Sequence, residues 1–216
     1  MKLIEKIHQY LIEEHDCTAE DIEAFDSASV YVAMETAMYA HHGQTRFNGE
    51  SYFGYAHRIL QRYRDLVGIV EDDYFCLDRD LLVDECNVPY EGMQELCLLA
   101  DVVNQTDITM EQIEEIFVDL GLRSYFLAHI KHGLEALTKQ EQDDEITFVA
   151  KISQSLQASI VKFLCYADEF EVCRQMENAD ASRMNDCVAF CRFLEDRWGF
   201  LQNVKKYFEL KNNRTN

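Results

Sequence analysis

An all-α fold is predicted by three features of the sequence. Proline occurs once and glycine eight times in 216 residues, and these two residues disfavour helix interiors most. Apolar side chains recur at three- and four-residue spacing along most of the chain, the repeat of one helix face. No stretch has the period-two alternation of a half-buried strand. With 25.3 kDa and 48% apolar residues, one domain over residues 1–216 can bury a substantial core. No internal repeat, low-complexity tract or Ser/Gly linker marks a boundary.

The elements follow in order. Leu3, Ile4, Ile7, Leu11 and Ile12 mark one face of a first helix. "TAED" at Thr18 to Asp21 starts a second, the threonine side chain accepting from a backbone amide. A third is expected over about 27–41, stopped by Gly43. The next, over about 55–70, turns Ile59, Leu60, Tyr63 and Leu66 inward. Residues 70–89 are acidic, mixed in pattern and hold the proline, and they predict an excursion from the core containing a short helix or turn. An apolar helix is expected over about 94–103, and Thr109 and Gln112 form a capping box for its successor. Further helices are expected near 124–137, 144–156, 158–177 and 185–210. In the last, Phe190, Phe193, Leu194, Trp198, Leu201, Val204 and Phe208 make an apolar stripe, most simply packed on the core.

A formal net charge of −20 repels phosphate backbones and anionic lipid surfaces, so neither nucleic acid nor membrane is an expected partner. The amino terminus is amphipathic and acidic, without the apolar run of a signal peptide or a membrane span, which predicts a cytoplasmic protein. The eight cysteines then read as reduced thiols filling the core. No Cys-x-x-Cys occurs, and Cys187 and Cys191 have no second pair nearby, which argues against a structural zinc site.

Three motifs carry a resemblance. "AHHGQTR" at Ala40 to Arg46 with "GESY" at Gly49 to Tyr52, "LLADVVNQTDIT" at Leu98 to Thr109, and "LEALTK" at Leu134 to Lys139 occur in that order. Together they resemble the HD-type hydrolase domain of RelA/SpoT-like proteins, over about residues 30–174. The resemblance implies an HD-like helical bundle of the small, stand-alone class, with residues 185–210 as an added C-terminal helix. It also implies a divalent cation, usually manganese, and removal of the 3′-pyrophosphate from guanosine tetra- and pentaphosphate. In that chemistry the cation polarises the phosphoryl group and lowers the pKa of a bound water, which a Glu-Asp pair positions or deprotonates.

The substitutions fall on the chemical positions. His41 and Asp101 match family ligands, but Ala100 stands where the His of the His-Asp pair is expected. Asn104 and Gln105 replace the Glu-Asp pair, and amides offer no basic oxygen. The last ligand falls on Cys165 in an ungapped fit to "VKFLCYADEF", or on Asp168 after a shift of about one helical turn. Tyr55 stands where the family has a histidine, and His57, two residues on, is a possible substitute donor. Arg46 matches the arginine that contacts nucleotide, and Arg58 and Arg62 share a helix face near it, either as an anion pocket or as salt-bridge partners. His41 and His42 are adjacent, so at most one of them faces a pocket.

Three functional expectations result. The first is a degenerate HD-type domain, weak or inactive towards guanosine polyphosphates, that holds a divalent cation weakly and binds a nucleotide, another small phosphorylated molecule or a protein partner. The second is an active metal-dependent phosphohydrolase using His41, Asp101, Asp168 and His57. The third is an acidic interaction or inhibitor protein. Restoring Ala100→His, Asn104→Glu and Gln105→Asp is expected to regain metal affinity if the pocket backbone is intact.

Overall fold

The computed structural model describes residues 1–26, 28–69, 80–176 and 180–215. Among the described residues the regular structure is helical, apart from one isolated β-bridge. In chain order the helices are α1 (Leu3–His15), α2 (Ala19–Asp26), α3 (Ser29–Ala40), α4 (Tyr52–Val67), α5 (Met93–Leu99), α6 (Val102–Gln105) and α7 (Met110–Asp119). They continue with α8 (Arg123–Tyr125), α9 (Lys131–Leu137), α10 (Glu145–Ile152), α11 (Leu156–Gln175), α12 (Ala181–Trp198) and α13 (Phe200–Thr215). Short π-helical turns occupy Leu81–Glu85 and Phe126–Ile130.

The centre of the bundle is α5, every residue of which is buried. α3, α4 and α11 surround it. Two polar side chains on α5 are buried with it, and both are answered. Glu95 accepts from Ser29 Oγ at 2.5 Å and from Tyr125 OH at 3.1 Å, while Gln94 Oε1 accepts from Arg64 Nε at 2.9 Å. α12 folds back along α11, and the contacts Phe163–Cys191, Tyr166–Phe190 and Glu169–Arg183 climb one helix as they descend the other.

The caps explain several boundaries. α4 begins at Ser51, whose hydroxyl accepts from the Gly54 amide at 3.0 Å, three residues earlier than its apolar pattern indicates. It ends at Gly68, where φ is +74° and a Cβ would meet the Phe208 ring at 2.8 Å. Thr109 and Gln112 exchange their bonds as a capping box, at 2.9 and 3.3 Å. Thr18 and Asp21 bond each other at the start of α2.

Two expected helices are divided. The helix over 94–103 breaks at Ala100 and Asp101, because the Asn104 side-chain amide donates to the Ala100 carbonyl at 3.1 Å and competes with the backbone ladder. The helix over 185–210 breaks at Gly199, which takes a left-handed φ of +61° between α12 and α13. Its stripe splits accordingly. Leu194 and Val204 are buried, whereas Phe193 and Leu201 face solvent. Ile12, placed inward by its spacing, is also exposed. Of the predicted excursion, residues 70–79 lie outside the described residues; the part that is described contains the turn Leu81–Glu85, whose Glu85 carbonyl accepts from Lys206 of α13 at 2.7 Å. Ser27 and residue 177, the expected ends of two helices, also lie outside the described residues.

Candidate functional site

The motif residues come from the end of α3, the loop 41–51, α4, the α5–α6 break and α11. The loop is closed by a bridge between Thr45 and Ser51, and the Arg46 amide donates to the Glu50 carbonyl at 2.8 Å. This closure brings Arg46 and Glu50 against α4 and α11.

Asp168 of α11 has no exposed surface, yet it carries a charge. Arg58 answers it in a bidentate fork, Nε to Oδ1 at 2.7 Å and Nη2 to Oδ2 at 2.9 Å. Arg62 Nε adds a bond to Oδ1 at 3.0 Å, and Arg46 Nη1 lies 3.6 Å from Oδ2. Arg58 and Arg62 have further carboxylate partners, whereas Arg46 Nη1 is buried and has no hydrogen-bond partner among the described residues. Arg58 bonds Glu50, and Arg62 bonds Glu171 at 2.6 Å. Burial pushes the Asp168 carboxyl upward, but the hydrogen bonds and charges of Arg58 and then Arg62 outweigh it and hold it below its usual value. Three arginines thus meet three carboxylates, and no positive charge is left over. The salt-bridged alternative for Arg46, Arg58 and Arg62 is the one the structure adopts.

His41 and Asp101 belong to a second cluster, one turn of α11 away. His41 is the inward member of its pair: it is 2% exposed and stacks on Tyr52, while His42 stays at the surface against Tyr10. Gln44 fixes its tautomer. The Gln44 amide donates to the Gln105 carbonyl at 3.1 Å, so its oxygen accepts from His41 Nδ1 at 2.9 Å and leaves Nε2 as a bare acceptor. Nε2 is buried and has no hydrogen-bond partner among the described residues. Burial lowers the His41 pKa, against the Gln44 bond and the charge of Asp101. Asp101 also acts on Tyr55, Cys165 and Lys162, which places it among them.

On α11 the charge of Asp101 is felt at Cys165, whereas Asp168, about one turn on, is paired with arginines. Burial pushes the Cys165 thiol up to about 12, with Lys162 opposing. Tyr55 fills the neighbouring space with its ring, over which the Arg46 guanidinium sits at 3.7 Å from the centroid. Lys162 lines the same cleft as Asp101, its ammonium 5.4 Å from the Phe148 ring and 5.0 Å from the Tyr166 ring. Burial lowers its pKa, but Cys165, Asp101, Glu145 and Glu169 more than offset that and raise it.

The implied divalent cation does not fit this set. His41 Nε2 and Asp101 remain as donors, Ala100 supplies none, and Asp168 is held by arginines. Among the described residues, His41, Asp101 and Asp168 do not converge within metal-binding distance of one another. His57 does not repair the gap. It is exposed on another face of α4, in a hollow lined by Ser29, Glu95 and Tyr125.

The two amides have separate roles. Asn104 donates to the Ala100 and Leu137 carbonyls, at 3.1 and 2.9 Å, and accepts from the Lys139 amide at 2.8 Å. It stitches α6 to the end of α9, a task that needs a donor and an acceptor on one side chain. Gln105 is exposed. Both line an open cleft of about 620 Å³ with Asp101, Lys139, Phe148 and Lys162. Its two lysines are outnumbered by Asp101, Glu141, Asp143 and Glu145, so the cleft is acidic on balance. Sequence reasoning missed Lys162 because it lies far along the chain from Asp101, and it gave Glu50 no role although its partner Arg58 is only eight residues on. No helix among the described residues is long and apolar enough to cross a membrane. The chain matches no known protein-family model, and a search of curated proteins gives no match.

Proposed function

We propose that this chain is an HD-hydrolase-like helical domain that does not hydrolyse guanosine polyphosphates and acts by binding a protein partner, in the cytoplasm. The observation that carries this reading is the pairing of Asp168 with Arg58 and Arg62, with Arg46 Nη1 3.6 Å away and an alanine, which offers no donor, at position 100. A reaction that needs a metal-activated water lacks both the donors to hold the ion and the carboxylates to orient the water. Losing the acid–base group alone removes about 10²–10⁴ in rate.

Of the ligand classes expected, a basic protein surface suits the molecule better than a nucleotide. The arginines that a phosphate would recruit are spent on carboxylates, and the cleft beside them is acidic. A net charge of −20 opposes a polyphosphate and draws a cationic surface.

The test is a pyrophosphate-release assay on guanosine tetraphosphate with manganese, paired with calorimetric titration of the same nucleotide. Neither turnover nor saturable nucleotide binding is the expected result. Manganese-dependent release abolished by His41→Ala overturns the loss of activity, and nucleotide binding abolished by Arg58→Gln overturns the preference for a protein partner.

A further inference from the structure

A different part of the molecule has the donors that the motif site lacks. His8 on α1, Asp26 at the end of α2 and Glu35 in the middle of α3 converge, with one ligand atom from each lying within 4.8 Å of the others. His8 Nε2 and Asp26 Oδ1 are 3.2 Å apart. Glu35 is 2% exposed, and among the described residues neither of its carboxylate oxygens has a hydrogen-bond partner. A buried carboxyl that faces a second carboxylate and an imidazole, with nothing donating to it, is an incomplete arrangement. Every other buried carboxylate described here, Glu95 and Asp168, has its donors in place.

We propose that His8, Asp26 and Glu35 form a binding site for one divalent transition-metal ion, zinc or manganese, that pins α1 and α2 to α3. One imidazole nitrogen and two carboxylates are a donor set these ions take, with water filling the remaining positions. Donors bound about 2.1 Å from a tetrahedral ion lie about 3.4 Å apart, so the present spacing closes by a small side-chain movement. The side chains of His8 and Asp26 are 25% and 20% exposed, which opens one side of the site to water and gives the ion an entry path.

The experiment uses the full chain, stripped with a chelator and titrated with zinc or manganese chloride at pH 7, with thermal melts alongside. One ion per chain is expected, with a raised melting temperature. Glu35→Gln and His8→Ala are expected to weaken binding about tenfold or more, since even a supporting residue lost from a metal site does so. His41→Ala is expected to leave it unchanged, which separates this site from the motif cluster. Should Glu35→Gln fail to fold, the partly exposed His8 position gives the same reading. No stoichiometric binding, binding that neither variant weakens, or binding lost in His41→Ala each overturns the proposal.

Discussion

Asp168 illustrates how a buried charge sets the chemistry around it. Removing a carboxylate from water is costly, and Arg58, Arg62 and Arg46 offset that cost with hydrogen bonds and charge. Asp168→Asn would leave guanidinium groups half-buried and underpaired. A loss of about 3–5 kcal/mol in unfolding free energy is expected, the range for breaking a buried pair from one side. Urea denaturation checks it, and a loss of a few tenths would show the arginines are satisfied by solvent instead. Because the folded pKa of Asp168 is lowered, its contribution is present above the ordinary carboxylate range and fades as pH falls below about 4. Glu35 has the opposite sign. Its folded pKa of about 8 exceeds its ordinary 4.5, so without metal the native state holds the proton more tightly than the unfolded chain. Stability should therefore fall as pH rises from 4.5 to about 8 and level off above that. Glu35→Gln should flatten this slope in denaturation curves taken across that range.

At the scale of the element, the α5–α6 break decides what Asn104 is for. Read in sequence alone, Asn104 and Gln105 are a catalytic pair with the acids taken away. In the folded chain Asn104 holds three main-chain groups, two of them through donors that a carboxylate does not have. The variant carrying Ala100→His, Asn104→Glu and Gln105→Asp is accordingly expected to lose about 1–3 kcal/mol, the cost of unsatisfied buried partners, and to gain no manganese affinity. Calorimetric titration of the folded variant checks the second half. Tight manganese binding there would mean that α11 can rotate Asp168 out of its arginine fork.

Across the molecule, legibility followed the range of the interaction. The capping box at Thr109, the stop at Gly43 and the core positions Ile59, Leu60 and Tyr63 are local or periodic signals, and the structure has them. The break at Ala100 was not legible, because it depends on Asn104 reaching its own helix and Leu137 together. The break at Gly199 was marked by the glycine itself but hidden by an apolar stripe running through it. The choice between Cys165 and Asp168 could not be made from spacing, since one turn of α11 separates two different environments. The cluster of His8, Asp26 and Glu35 draws on three helices and has no motif at all.

What the sequence determined by itself was the helical class and the acidity, because composition and periodicity are properties of the chain. What only the tertiary structure decided was which charges meet. Arg58 and Asp168 are 110 positions apart, and their pairing exists only when α4 and α11 pack on α5. Coulomb and desolvation energies depend on distance and burial, and neither quantity is written in the order of residues.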